Sequence, residues 1–195
     1  MTEEEQLWRH FTNGDEKALE ELIRLFGKPL ALYGRKMVKD DLLIQDCIQE
    51  VYIQLWQYRA NLRQVTEIRP YLFTCLRRKL ITILKRERLF VSTENEEELP
   101  FRAEFSIEER LIENETEAAR VRLINGYINQ LPKRQKEAIY LRFFENLSND
   151  EIATVMGIKY QTATNLIHEA LTSLRESFPN KFTTLLLACL DFFLY

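Results

Sequence analysis

The stretch Leu147-Ser-Asn-Asp-Glu-Ile-Ala-Thr-Val-Met-Gly-Ile-Lys-Tyr-Gln-Thr-Ala-Thr-Asn-Leu166 constrains the fold more than any other part of the chain. Ser148 can cap a helix, and Asp150 and Glu151 put negative charge in its first turn, where the helix dipole favours it. Ile152, Val155 and Met156 then form an apolar stripe at helical spacing. Ala153 is small where a second helix would have to cross closely. Gly157 can take the left-handed conformation that ends the first helix. Ile158 re-enters the core, and a second helix from about Tyr160 turns Ala163, Leu166, Ile167 and Ala170 inward. Two short helices, a glycine turn and a small residue at the crossing describe a DNA-binding helix-turn-helix. A plain αα-hairpin inside a bundle would read the same way.

The remainder of the chain keeps the helical period. Its 195 residues include only five Gly and five Pro, so breakers are few and the expected class is all-α. Leu7, Trp8, Phe11, Ala18, Leu19, Leu22, Ile23 and Phe26 recur at helical intervals, interrupted by Asn13-Gly14-Asp15. Gly27-Lys28-Pro29 allows a break or kink before a further helix over about 30–38. The spacing of Ile44, Ile48, Val51 and Leu55, widened by Tyr52 and Trp56, predicts a helix over about 41–58. Asp46, Gln49, Glu50, Gln54 and Gln57 lie towards another side of it, which suits a solvated surface or a docking face. Pro70 fits the first turn of a helix reaching about Arg88, with Leu72, Leu76, Leu80, Ile83 and Leu84 inward.

Charge is sharply segregated along the chain. The formal net charge is only −3. Yet residues 69–88 carry Arg69, Arg77, Arg78, Lys79, Lys85, Arg86 and Arg88 against Glu87 alone, whereas over 94–117 only Arg102 and Arg110 oppose a run of Glu. Such separation suggests separate jobs. Basic charge interleaved with Tyr71 and Phe73 suits single-stranded or melted nucleic acid, since cations track phosphates while rings stack on bases. A basic surface helix with Tyr71 and Phe73 in the core is the alternative. The polar, acidic segment from Ser92 to Pro100 reads as a flexible linker, with helix returning near Ser106. The chain thus divides into a first domain over 1–91, a linker over 92–114, a second domain over 115–178 and an apolar tail over 179–195.

Several function classes find no support. There is no Gly-rich phosphate loop, nucleophile elbow or His/carboxylate constellation, and His10 and His168 are isolated. Cys47, Cys75 and Cys189 are far apart, odd in number and without a CxxC pattern. No catalytic residue, metal, cofactor or small-molecule substrate is therefore expected. The acidic opening Met1-Thr-Glu-Glu-Glu lacks the pattern of a signal peptide, so the expectation is a reduced, cytoplasmic protein.

From about Leu7 to Phe178 the chain resembles the extracytoplasmic-function (ECF) sigma factors of the sigma-70 family. Asp46-Cys-Ile-Gln-Glu-Val-Tyr-Ile-Gln-Leu-Trp56 is similar to the family's D-x-x-Q-E-x-[FY]-x-x-[LI]-W segment, which docks on the clamp helices of the largest RNA polymerase subunit. The resemblance implies that contact, or its support, for Asp46, Gln49, Glu50 and Trp56. Pro70-Tyr-Leu-Phe-Thr-Cys-Leu-Arg-Arg-Lys-Leu80 resembles the segment that melts the promoter and recognises the minus-ten element. There Arg77, Arg78 and Lys79 would hold the non-template strand, Tyr71 and Phe73 would offer rings, and the loop over 61–68 would help receive a flipped base.

The stretch from Leu131 to Arg175 resembles region four, which reads the minus-thirty-five element. Lys159, Tyr160, Gln161, Thr162, Thr164, Asn165 and His168 would then face the major groove, with Arg134 and Arg142 on phosphates. This chain has Thr164, Leu166 and Glu169 where many members carry basic residues. Fewer cations imply a shallower salt dependence and more reliance on side-chain base reading, with tethering to polymerase compensating. The acidic linker would occupy a basic channel meant for RNA.

What the resemblance implies is a non-catalytic initiation factor of two small helical domains, a region 2 bundle and a region 4 helix-turn-helix. Its partners would be core RNA polymerase, promoter DNA in double-stranded and melted form, and an anti-sigma protein. The alternatives are a stand-alone helix-turn-helix regulator, which needs neither the basic-aromatic segment nor the Asp46–Trp56 face, and a sigma-like interaction protein without promoter activity.

Overall fold

The computed structural model describes residues 3–62, 65, 67–89, 101 and 125–177. Every regular element among them is helical. The apolar tail, the helix expected after Ser106 and, apart from Phe101, the expected linker lie outside the described residues. The chain divides into two compact units, residues 1–97 with 154–157 and residues 98–153 with 158–195.

In the first unit, α1 (Glu3–Thr12) begins with Glu3, Glu4 and Glu5, whose charges suit the positive end of the helix dipole. It ends in a tight turn at Gly14, whose φ of +92° is easy only for glycine. Asp15 then caps α2 (Glu16–Met37), its Oδ1 accepting from the Lys17 N–H at 3.0 Å.

Helix α2 runs straight through the Gly27-Lys28-Pro29 sequence that suggested two separate helices. Pro29 removes one backbone donor, a loss of about 3 kcal/mol in a helix interior. Ala18, Leu22, Phe26, Leu30, Tyr33 and Met37, however, form one unbroken buried stripe across that position. Burying each large apolar side chain contributes about 1.5–3 kcal/mol, so the stripe outweighs the proline.

Asp40 caps α3 (Asp41–Tyr58) by accepting from Leu42 and Leu43. Ile44, Cys47, Val51, Tyr52 and Leu55 are buried, while Ile48 is only partly so. The Tyr52 hydroxyl donates to the Leu22 carbonyl at 3.3 Å. A 3-10 turn, Arg59–Leu62, follows α3, and its Leu62 carbonyl accepts from the Trp8 indole at 3.0 Å. Helix α4 (Ile68–Leu89) buries Ile68, Leu72, Phe73, Leu76 and Leu80. Helix α2 packs against α1, α3 and α4 and is the hub of the unit.

Beyond residue 98 the described chain forms a helical turn at 125–128, α5 (Lys133–Phe143), α6 (Asn149–Met156) and α7 (Tyr160–Ser177), which make up the second unit apart from 154–157. Helix α5 packs on α7. Ala138, Ile139, Tyr140 and Leu141 of α5 are buried, as are Leu147, Ile152, Val155 and Met156 at the hairpin and Ala163, Ala170 and Leu174 on α7. Phe101, inside the expected linker, is buried with its ring edge-on to Tyr140 at 5.9 Å. That residue is core rather than solvated linker. Phe144 is partly exposed and stacks on Tyr140 at 5.3 Å. None of the described helices is long and apolar enough to cross a membrane.

Helices α2 and α3 approach closely at Gly34, where an added Cβ would lie 2.7 Å from Ile44 Cγ2. Both tryptophans, Trp8 and Trp56, belong to this first unit, so their fluorescence reports it alone. Gly34→Val should therefore lower the urea midpoint of the tryptophan signal, with a loss of about 1–3 kcal/mol from overpacking.

Candidate protein and nucleic-acid interfaces

On α3, residues three, four and seven apart share a line, so burial of Ile44, Cys47, Val51 and Leu55 turns the opposite line outward. Asp46, Gln49, Glu50 and Gln57 are exposed there. So are two apolar residues that the sequence pattern did not single out, Leu42 at 73% and Ile53 at 47% exposure. The outward line thus carries carboxylates and amides between two exposed apolar residues about three turns apart, a mixed composition that suits a docking surface. The signal for Ile53 was present in the spacing, because it follows Gln49 by one turn.

Trp56 is only partly exposed. Its ring packs 6.1 Å from Phe11, and the Arg59 guanidinium lies over it at 4.2 Å while donating to the Trp56 carbonyl at 2.6 Å. Arg59 also lines Gly14, where a Cβ would stand 3.5 Å from its Nε. Trp56 thus supports the end of the α3 face and joins it to the α1–α2 turn.

The basic-aromatic helix separates into different roles. Phe73 is 0% exposed and packs against Tyr33 at 5.1 Å. Its ring is part of the core, so the expectation that it contacts nucleic acid is corrected. Tyr71 is partly exposed, with its ring edge-on to Trp8 at 6.2 Å. Burial, then the neighbouring Cys75 thiol, pushes its hydroxyl up to about 12, so it stays a neutral donor at neutral pH. Burial likewise raises the thiols of Cys47 and Cys75.

Successive helical residues point about 100° apart, so Arg77, Arg78 and Lys79 cannot all face one strand. Arg78 is exposed, Arg77 is partly buried, and Lys79 is ion-paired to Glu50 of α3. The pairing joins residues that the sequence assigned to two different partners. Of the loop over 61–68 expected to receive a base, residues 63, 64 and 66 lie outside the described residues.

The hairpin in the second unit is built by local chemistry. Ser148 and Glu151 form a reciprocal capping box: the Ser148 N–H donates to Glu151 Oε2 at 2.6 Å, and the Glu151 N–H donates to Ser148 Oγ at 3.3 Å. At the other end Gly157 has φ +65°, the Ile158 N–H donates to the Ala153 carbonyl and the Gly157 N–H to Thr154, a Schellman stop. The preceding turn is held by Asn146 at φ +53° and by Arg142, whose Nη1 donates to the Leu147 carbonyl at 3.0 Å. Arg142 therefore braces the hairpin with part of its guanidinium. Arg134 is exposed in the first turn of α5. Buried Glu145 accepts from the Tyr140 hydroxyl at 3.0 Å, a polar contact absent from any sequence pattern.

Burial of Ala163, Ile167, Ala170 and Leu174 leaves Gln161, Asn165 and His168 along the centre of the outer face of α7. Lys159 and Tyr160 are exposed at its start, and Thr162 and Thr164 lie half-buried on its flanks. Gln161 Nε2 donates to Asn165 Oδ1 at 2.9 Å, leaving an acceptor on one side chain and donors on the other. Amides with both functions can pair with adenine in the major groove. Thr164 Oγ1 accepts from Asn149 Nδ2 at 3.2 Å, which fastens the two hairpin helices. Glu169 is held by Gln135 Nε2 at 3.1 Å.

Comparisons with known proteins assign the two units separately. The family model for Sigma-70 region 2 matches residues 22–90, and that for Sigma-70, region 4 matches residues 122–174. RNA polymerase sigma factor SigZ of Bacillus subtilis (strain 168) is 28% identical over 160 residues, 81% of this chain and 85% of that protein. RNA polymerase sigma factor NccH of Alcaligenes xylosoxydans xylosoxydans is 24% identical over 181 residues, covering 89% and 95% respectively. Two solved structures share the fold. CnrH in complex with the cytosolic domain of CnrY has a TM-score of 0.57 at 20% identity, over 88% of this chain and 94% of that one. The sigma factor RpoE in complex with the anti-sigma factor NepR from Bartonella quintana has a TM-score of 0.55 at 18% identity, over 82% and 96%.

Replacing Ser148 with Ala removes one half of the capping box. It should destabilise the second unit by about 0.5–2 kcal/mol in circular-dichroism melts, while leaving the tryptophan-fluorescence transition of the first unit in place.

Proposed function

Because the chain belongs to the sigma-70 family of RNA polymerase sigma factors, in its ECF form, we propose a division of labour between its two units. Residues 1–91 bind core polymerase and open the minus-ten region, and residues 115–178 hold the minus-thirty-five element. Residues 92–114 connect them, and 179–195 form a separate tail. The protein works in the cytoplasm and carries out no catalytic step of its own. The observation that carries this reading is the match of regions 2 and 4 to different compact units of one chain.

On α3 the polymerase-facing residues are Asp46, Gln49 and Glu50, with Leu42 and Ile53 as flanking apolar contacts and Trp56 as support. A face with exposed carboxylates at Asp46 and Glu50 suits a partner surface that offers cations, and the proposed site is the clamp helices of the largest subunit. Arg77, Arg78 and the polar edge of Tyr71 face the melted strand, where phosphate attraction and ring contacts act together. In the second unit Gln161, Asn165 and His168 read bases, flanked by Lys159, Tyr160, Thr162 and Thr164. Arg134 and the remaining donors of Arg142 take phosphates. A regulator of the anti-sigma class is a further partner, since both solved relatives in fold hold a second protein and one of these is named an anti-sigma factor.

Reconstitution with core RNA polymerase tests this assignment. The full chain should direct promoter-dependent transcripts. Ile53→Asp should weaken polymerase binding at least about tenfold, the scale of losing an interface anchor, with the tryptophan unfolding transition retained. Polymerase binding without transcripts would identify an interaction protein instead. DNA binding without polymerase would identify a stand-alone regulator. Asn165→Ala should lower discrimination at the upstream element by about 1–3 kcal/mol, read by competition between promoter variants.

A further inference from the structure

Lys79 occupies an unusual place for a strand contact. It follows Leu72 by two turns and precedes Ile83 by one, so it stands on the buried stripe of α4 rather than on the side that carries Arg78. Its side chain is only 21% exposed. The stem is therefore covered by the bundle and the ammonium emerges at the seam with α3, where it meets Glu50. Cys47, buried one turn before Glu50, feels charge from Lys79, Glu50 and Asp46, so these groups surround one point of the seam. Asp46 and Glu50 are also four residues apart, a spacing at which like charges repel unless a cation intervenes.

With the Glu50 carboxylate 58% exposed, this ion pair does little for folding. It can still do something for binding. A glutamate at an interface loses rotamer freedom on docking, and one already held by Lys79 loses less. On the reading of α3 as the polymerase-facing helix, we propose that Lys79 is a positioning residue for that face: it holds the Glu50 carboxylate in its docking orientation and is not a phosphate contact. The negative edge of α3 is then set by a residue of the neighbouring helix, and the basic segment serves two partners with different side chains.

A double-mutant cycle on the full-length chain tests this, with affinity for core polymerase measured for the wild type, Glu50→Gln, Lys79→Met and the double variant. Lys79→Met should weaken binding about three- to tenfold, the double variant should bind no more weakly than Glu50→Gln alone, and Lys79→Arg should recover most of the loss. With polymerase saturated, the salt dependence of promoter binding should be the same for Lys79→Met and wild type. Two results would overturn the proposal. One is unchanged polymerase affinity in Lys79→Met. The other is a salt slope lowered by about 0.7–0.9, the signature of a lost phosphate contact. If Lys79→Met shifts the tryptophan unfolding midpoint, Lys79→Gln, which removes the charge and shortens the stem but keeps a polar head, replaces it in the cycle with the same criteria. Failure of the wild type to bind polymerase would remove the functional reading itself and this inference with it, whereas binding that ignores Lys79 would remove the inference alone.

Discussion

The first unit depends on one continuous buried stripe. Ala18, Leu22, Phe26, Leu30, Tyr33 and Met37 run the length of α2, and α1, α3 and α4 each cover part of it. Short helices are marginal in water unless a face is buried, so the neighbours are held as helices largely by this contact. The same stripe overrides Pro29. The close approach of Gly34 to Ile44 brings α3 down onto α2 and thereby decides which side of α3 is left for a partner.

What α3 and α4 offer to partners follows from that packing. Once Cys47, Val51 and Leu55 are turned inward, Leu42, Asp46, Gln49 and Ile53 have no place in the core. Once Leu72, Phe73, Leu76 and Leu80 are turned inward, the three consecutive cations of α4 must diverge. One is exposed, one is partly covered and one reaches across to Glu50. Basic residues adjacent in sequence are thus not equivalent in space. The seam between the helices is a border shared by the carboxylate–amide face of α3 and the basic side of α4.

The second unit relies more on local chemistry. A capping box, a Schellman stop and a brace from Arg142 fix the hairpin before any distant contact is considered. The outer face of α7 is polar rather than strongly basic, so its contribution lies in hydrogen-bond pattern more than in charge. A unit of this kind gains from being tethered to a second binding unit, since tethering raises its effective concentration at an adjacent site.

The sequence alone was enough for the all-α class, for the helix-turn-helix and for the family. Those features rest on local terms: 3.6-residue periodicity, Ser148 and Gly157 at the ends of one short helix, and the Asp46–Trp56 motif. Helix continuity through Pro29, the burial of Phe73 and Phe101, the exposure of Ile53 and the pairing of Lys79 with Glu50 were decided only by tertiary structure. In each case the outcome is set by which side of a helix finds a neighbour, and that depends on residues distant in the chain. A local pattern places a side chain on a helix; only packing determines whether it meets the core, another helix or a partner.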